Sequence, residues 1–493
     1  MRRPIIGQFA AIIVALIAAA PAPGSDELVL TPISPAPEPL GELHPKLRWM
    51  TKQKIRTMWI SYNLFDRFGA IEVPAREGEK TKGAAMVEAG FNLVNIEMSV
   101  NTDNDANKTT VDVRTVDPKH DRSLSTALET RLPPNVVAAR KYGLTLLVGL
   151  KYGTQHLEPY RKYRGPDGTL AKRSCCPLDE TYISGQHIGK WAVRAAELGA
   201  DGVNIDIEMY QSDAASYPGP CYCDDCFATY LAAYAHDPRQ TYDAVAPEER
   251  GRWIAQRRGP DNEYVRWGGT HYAAFTARRI EALWDGIRRR CQAINPAFIL
   301  AMYHTFEAMP GMERGLGTPS VPCLMLNAHE YNHGPYRGSY MSMNRIKENM
   351  PVLFVSGLYV KVQSPERFAE NVLQSCLYTD GYFAWYGTAL LSFPGPGEEK
   401  QTLPGGYGRW GNSSAADYLE RLKATHTRLD TLLTQSRDTW PKRIDGKLRW
   451  LRDRMQAAEA QLEANETAQT RKAVQDAAKE LKRYMQIVAQ GGY

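Results

Sequence analysis

One amide and two carboxylates stand at alternate positions of a short apolar segment, Gly202-Val203-Asn204-Ile205-Asp206-Ile207-Glu208. Val203, Ile205 and Ile207 fill the positions between. A strand of these residues has one aliphatic face and an opposite face carrying Asn204, Asp206 and Glu208. The like charge of Asp206 makes Glu208 hold its proton more tightly, which suits a general acid. Cleaving a glycosidic bond needs such an acid at the leaving oxygen and a second group at the oxocarbenium-like centre. Two neighbours on one strand cannot flank a bond from both sides. The second group therefore comes from another strand end or from the substrate. Glu330, in His329-Glu330-Tyr331 directly after a strand, is the first choice among protein groups, with Glu97 another. In a plain structural role, Glu330 is a loop carboxylate paired with Arg337 or Lys347, and the polar strand is an edge strand with one wet face.

A second constellation follows, Cys221-Tyr222-Cys223-Asp224-Asp225-Cys226, and Cys175 and Cys176 precede it. Three thiolates in a C-x-C-x-x-C with a fourth from another loop would close a tetrahedral structural zinc site. In an exported protein the same residues could form disulfides through Cys175 and Cys176. Spacing alone leaves both open. The other three of the eight cysteines, Cys291, Cys323 and Cys376, lie in helical or strand patterns and read as buried small hydrophobes.

A strand that is polar on one face and ends on a carboxylate belongs at the mouth of a (β/α)₈ barrel, where strand ends carry the site. The flanking chain has the required rhythm. Strands are read at 58–65, 91–98, 144–150, the Asn204 segment, 298–303, 321–327, 352–358 and 382–385. Helices are read at 80–89, from Pro133-Pro134 to Gly143, at 183–198, 264–294 and 365–377, and residues 153–182 as a long loop. The expected fold class is α/β, a (β/α)₈ TIM barrel over residues 51–435.

The ends read differently. Arg2 and Arg3, an apolar run from Ile5 to Ala20 and a small-residue exit make residues 1–24 a signal peptide. Residues 25–50 are Pro-rich and read as a linker. Over 436–493 two heptad faces, Leu448-Leu451-Met455-Ala458-Leu462 and Val474-Ala478-Leu481-Met485-Val488, predict an antiparallel helical hairpin. The net charge of +5 becomes +3 without the two leader arginines. A charge so small carries no nucleic-acid footprint. No segment beyond the leader reaches about 18 consecutive apolar residues, so no membrane span is expected. A secreted or periplasmic protein follows, its oligomeric state open.

Ile205-Asp206-Ile207-Glu208, Cys221-x-Cys223-x-x-Cys226-Phe227 and Cys176-Pro177-Leu178-Asp179-Glu180-Thr181-Tyr182 resemble family 42 glycoside hydrolases, the clan A β-galactosidases. The resemblance covers roughly residues 170–235 and the segment Tyr378–Trp385, which looks like that family's last strand. It implies Glu208 as acid/base and a zinc on Cys176, Cys221, Cys223 and Cys226, with no counterpart for Cys175. Two departures stand out. Ile207 replaces the asparagine that precedes the acid/base, and strand seven, Pro351–Val360, holds no carboxylate where clan A has its nucleophile. Galactose specificity and the clan A mechanism do not carry over.

Asp201-Gly202-x-Asn204-x-Asp206-x-Glu208 before Tyr210 is also similar to the signature of family 18 chitinases, with Asn204 replacing an aspartate. That resemblance implies Glu208 as acid, Asp206 orienting an acetamido group that itself attacks, and Trp385 as a sugar floor. Lys151, Tyr152, His304, His329, Tyr331, Tyr359 and Trp385 fall at strand ends. With Asn204 and Tyr210 they would line a carbohydrate site, with no organic cofactor. A glycan-binding barrel that has lost turnover is the reading from another class.

Overall fold

The computed structural model describes residues 39–61, 63–70, 72–98, 118–151, 161–207, 219–234, 243, 245–255, 271–303, 310–328, 331, 334–335, 343, 347–348, 350–360, 363–392, 415–441 and 446–489. Ten strands are described: β1 (Ile55–Ile60), β2 (Leu93–Glu97), β3 (Thr145–Lys151), β4 (Lys162–Arg164), β5 (Leu170–Cys175), β6 (Gly202–Asp206), β7 (Ile299–Tyr303), β8 (Cys323–Asn327), β9 (Val352–Tyr359) and β10 (Gly381–Trp385). Eight of them close a parallel barrel in the order β1-β10-β9-β8-β7-β6-β3-β2. β4 and β5 form a separate two-stranded sheet, inside the stretch the sequence reads as a long loop. β4 has only three residues, too few to show a period.

The barrel strands are buried on both faces, as parallel strands wrapped by helices must be. Ile55, Leu93, Leu147, Ile299, Leu324, Leu353 and Phe383 meet in the interior. Parity then fixes the inward set: Thr57 and Trp59, Asn95 and Glu97, Gly149, Asn204 and Asp206, Tyr303, Tyr359 and Trp385. Leu43, Leu47 and Met50 join the same core. From residue 39 on, then, the stretch read as linker packs on the barrel. Its signal was present in Leu40, Leu43, Leu47 and Met50, which step by helical intervals.

Helices between the strands start and stop on local chemistry. Thr81 and Ser364 cap Lys82–Glu88 and Pro365–Tyr378 by accepting from Ala84 N and Arg367 N. Gly143 and Gly199, at φ 69° and 90°, end the helices Pro118–Tyr142 and Ile188–Glu197 in the left-handed region. The first of these begins well before Pro133, where the sequence reading starts it. Leu128, Leu132, Val136 and Ala139 are all buried, so one apolar face runs through both prolines.

Asp430 and His426 help pin the helix Ala415–Leu433. Arg56 pairs with Asp430. His426 Nδ1 lies 2.6 Å from the Ala89 carbonyl, and Nε2 lies 3.2 Å from Tyr382 Oη. The carbonyl can only accept, so Nδ1 carries the proton and Nε2 accepts from the tyrosine. Burial pushes this imidazole down to about 3. Helices Gly446–Ala464 and Ala468–Ala489 form the expected hairpin, with Leu451, Ala458 and Ala477 its buried residues. Met485 is half exposed, so the second heptad face turns by about one residue from the expected one. No helix among the described residues is long and apolar enough to cross a membrane.

The chain divides into two compact units. The barrel belongs to the larger. The described residues of the smaller lie within Arg164–Leu170 and Gly219–Thr276, with a core of Phe227, Tyr230, Leu231, Ile254 and Tyr272.

Candidate active site

At its N-terminal end β6 is anchored by Asp201, whose carboxylate accepts from Leu146 N at 2.9 Å. Burial raises the pKa of this group. Gly202 follows because a side chain there would meet the Ile299 carbonyl and Leu147. Asn204 and Asp206 then face the barrel interior, both buried. Asp206 lies in register with Lys151 on β3 and Tyr303 on β7. Glu97 ends the inward face of β2, its Oε2 3.5 Å from Ser61 Oγ.

Beneath these carboxylates the interior is polar. Asn95 and Asn204 are buried, and none of their four side-chain polar atoms has a hydrogen-bond partner among the described residues. Gly149 stands in register with Asn204, and a Cβ there would come 3.5 Å from Asn95 Oδ1. Thr57 Oγ1 and Trp59 Nε1, inward on β1, are likewise buried and unpartnered. Buried polar groups without partners are rare and costly, a few kcal/mol at most each. Their concentration on β1, β2 and β6, with Gly149 of β3 leaving room between, marks a surface suited to a hydroxyl-rich or amide-bearing guest.

The other side of the interior is aromatic. Tyr303 and Trp385 stack with centroids 5.6 Å apart and planes 12° apart. Tyr331 stacks on Trp385 at 6.1 Å, and its hydroxyl donates to Tyr303 Oη at 2.6 Å. Trp59 meets Trp385 edge-on at 4.8 Å. Gln363 fixes this stack from behind: its Nε2 donates to the Tyr331 carbonyl at 2.9 Å, while Asn371 Nδ2 donates to Gln363 Oε1 at 2.9 Å. Rings held this way present flat apolar faces, which suit the C–H faces of a sugar.

β9 confirms the departure in strand seven. Its inward residues are Leu353, Val355, Gly357 and Tyr359, and the strand has no acid. Phe383 leans over Gly357, so close that a Cβ there would meet its ring at 2.6 Å.

The structure therefore brings Asn204, Asp206, Tyr331 and Trp385 into one barrel interior. Glu208, Tyr210, Tyr152, His304, His329 and Glu330 lie outside the described residues, as does the side chain of Lys151. Trp59, Tyr303, Asn95 and Gln363 were not singled out by sequence. Trp59 and Tyr303 sit at strand ends as the chosen residues do, and only the barrel's parity separates them from core packing.

In the smaller unit, the Sγ atoms of Cys221, Cys223 and Cys226 lie within 4.8 Å of one another. All three are buried and none is in a disulfide. Thiolates on one tetrahedral zinc, at about 2.3 Å from it, stand roughly 3.8 Å apart. The set fits. Arg164 N donates to Cys221 Sγ at 3.4 Å, and Tyr272 Oη donates to the Cys221 carbonyl at 2.6 Å. Arg250 closes the turn by donating to the Tyr222 carbonyl and Asp224 at 3.1 and 2.7 Å. In the larger unit Cys176 is buried and equally free of a disulfide, with Leu178 N donating to its Sγ at 3.4 Å.

No protein-family model matches the chain, and no curated protein matches it. Among solved structures it is similar to a polyextremophilic β-galactosidase from the Antarctic haloarchaeon Halorubrum lacusprofundi, at 12% identity over 78% of this chain and 58% of that one, TM-score 0.39. A β-galactosidase from the psychrophilic Marinomonas ef1 gives 10% identity, 72% and 58% coverage and a TM-score of 0.41. One from Rahnella sp. R3 gives 13%, 86% and 61%, with a TM-score of 0.40. The chain spans about three-fifths of the length of these proteins. Likenesses this distant assign neither activity nor substrate; the barrel itself is established by its strand order.

Proposed function

We propose that the protein is a glycoside hydrolase acting on an oligo- or polysaccharide, with Glu208 as general acid/base. The observation that carries this reading is the inward face of β6, where Asn204 and Asp206 lie buried beside Tyr303, the first ring of the Tyr303–Trp385–Tyr331 stack. Glu208 continues the same alternation toward the mouth. Asp206 would raise its proton affinity, and the aromatic faces would hold the sugar while the acid protonates the leaving oxygen. Glu330, in the loop after β8, is the proposed second group.

A second reading rests on β9. With no acid on that strand, an acetamido group of the substrate would attack, and Asp206 would orient it. A panel of chromogenic glycosides, with and without N-acetyl groups, tests both. Turnover of N-acetylated glycosides alone, abolished by Asp206→Asn and untouched by Glu330→Gln, selects substrate assistance. Binding of glycans without turnover of any panel member would reduce the protein to a lectin-like barrel.

Cys176, Cys221, Cys223 and Cys226 are the proposed ligands of one structural zinc, from the family 42 resemblance and the fit of the three buried thiols of the C-x-C-x-x-C turn. It would fix loops rather than enter the chemistry, so removing it should cost stability first. Metal analysis of protein purified without chelator tests this, and disulfide-linked Cys176 by mass spectrometry would exclude it. Export with loss of residues 1–24 is proposed from the leader pattern and is checked by amino-terminal sequencing.

A further inference from the structure

At the N-terminal rim of the barrel, where β10 and β1 begin, lies a cavity. It encloses about 650 Å³ and is lined by Lys54, Lys347, Tyr378, Asp380, Arg437 and Trp440, with exposed Glu348 also on its wall. The charges there are unequally matched. Lys347 Nζ reaches both oxygens of Asp380, at 2.7 and 2.5 Å, and Phe354 N donates to the same carboxylate at 2.8 Å. Asp380 is fully engaged by these partners.

Lys54 has no such partner. Only 8% exposed, it makes one hydrogen bond among the described residues, Nζ to the Thr379 carbonyl at 2.9 Å, and no ion pair there. An ammonium carries three donors, so two remain for the cavity. A buried cation without a carboxylate is costly. The backbone adds to the cost: Lys54 sits at φ 65°, just past the short helix Trp49–Lys52, where glycine is the unstrained residue. Burial lowers its pKa more than Asp380 raises it. Arg437, exposed, is a second cation without an ion pair among the described residues, its guanidinium 5.4 Å from the centre of the Trp440 ring. Tyr378 holds that ring edge-on at 6.4 Å.

We propose that this rim cavity binds a small organic anion, a ring bearing one carboxylate, through Lys54 and Arg437 for the charge and Trp440 for the ring's apolar face. Two unpaired cations call for a carboxylate, and Glu348 on the wall disfavours a more highly charged group. A sugar acid has both parts. The site lies at the opposite strand ends from the polar mouth and does not rest on the hydrolase reading.

Titration calorimetry and thermal unfolding of the full chain with D-glucuronate, D-glucose and inorganic phosphate test the proposal. Glucuronate should bind one per chain and raise Tm at about 10 mM, while glucose should do neither. Lys54→Gly and Arg437→Gln should each weaken glucuronate about tenfold or more. The glycine relieves the left-handed backbone and the glutamine replaces an exposed side chain, so a folded variant is secured. Absence of glucuronate binding, or equal binding by both variants, overturns the site. Phosphate binding as tight as glucuronate overturns the part played by Trp440.

Discussion

β6 and β9 are strands of one closed barrel with opposite interiors. β6 turns Asn204 and Asp206 inward, and the amide of Asn204 meets no partner among the described residues. β9 turns Leu353, Val355, Gly357 and Tyr359 inward, and a neighbouring ring already fills the space above its glycine. One strand holds unspent hydrogen-bonding capacity; the other is finished by packing. A site built on this barrel is therefore chemically one-sided. The β6 side offers proton donors and acceptors, and the β9 side, with β7 and β10, offers a surface to lie on.

The largest effect expected from breaking this asymmetry is Glu208→Gln. It should lower kcat by roughly 10²–10⁴-fold, with partial recovery on aryl glycosides whose leaving groups need no proton. Full activity of that variant on natural glycans would remove β6 from the chemistry. Next comes acid. His426 outside the barrel stays neutral to about 3 when folded, whereas an unfolded imidazole protonates near 6.5. Its contribution is complete above that value and is lost as pH falls toward 3, at about 1.4 kcal/mol per pH unit. Unfolding midpoints between pH 4 and 6 should flatten in His426→Gln, which separates framework loss from titration of the β6 acids.

Gly357→Ala probes the packed strand. The new methyl would press on Phe383 and the Asn327 carbonyl, costing roughly 1–3 kcal/mol in denaturant unfolding. An unchanged midpoint would mean that β9 has spare room after all. The smallest effect is the most telling about β6. Asn204→Leu replaces an unpartnered amide by an apolar group of similar shape, so stability should hold or rise by up to about 1 kcal/mol. Sugar affinity should fall, as measured by calorimetry on the same sample.

Much of the barrel was legible because parallel strands buried on both faces read as short apolar runs between glycine-terminated helices. Asn204 and Asp206 were legible because a polar side chain inside such a run is costly to bury unless a ligand or a neighbour uses it. Trp59 and Tyr303 were not, since an aromatic at a strand end looks the same whether it packs or receives a ligand. Gln363 lies far in sequence from Tyr331 and acts on its carbonyl, a contact no side-chain pattern encodes. The β4–β5 sheet escaped for a simpler reason: three residues carry no period. Lys54 escaped because its position reads as an ordinary helix end, and only the φ angle shows that a lysine there is unusual.

The pairing of Ile55 with Gly381 and the docking of His426 on Ala89 also set a clock. The two partners of the second contact are 337 residues apart. At about 5–20 residues per second, a ribosome needs roughly 20–70 s to supply the second after the first. For most of that interval β1 has one open edge, a template for any passing strand. The newborn chain therefore depends on being held unfolded, or shielded, until β10 and the helix bearing His426 arrive.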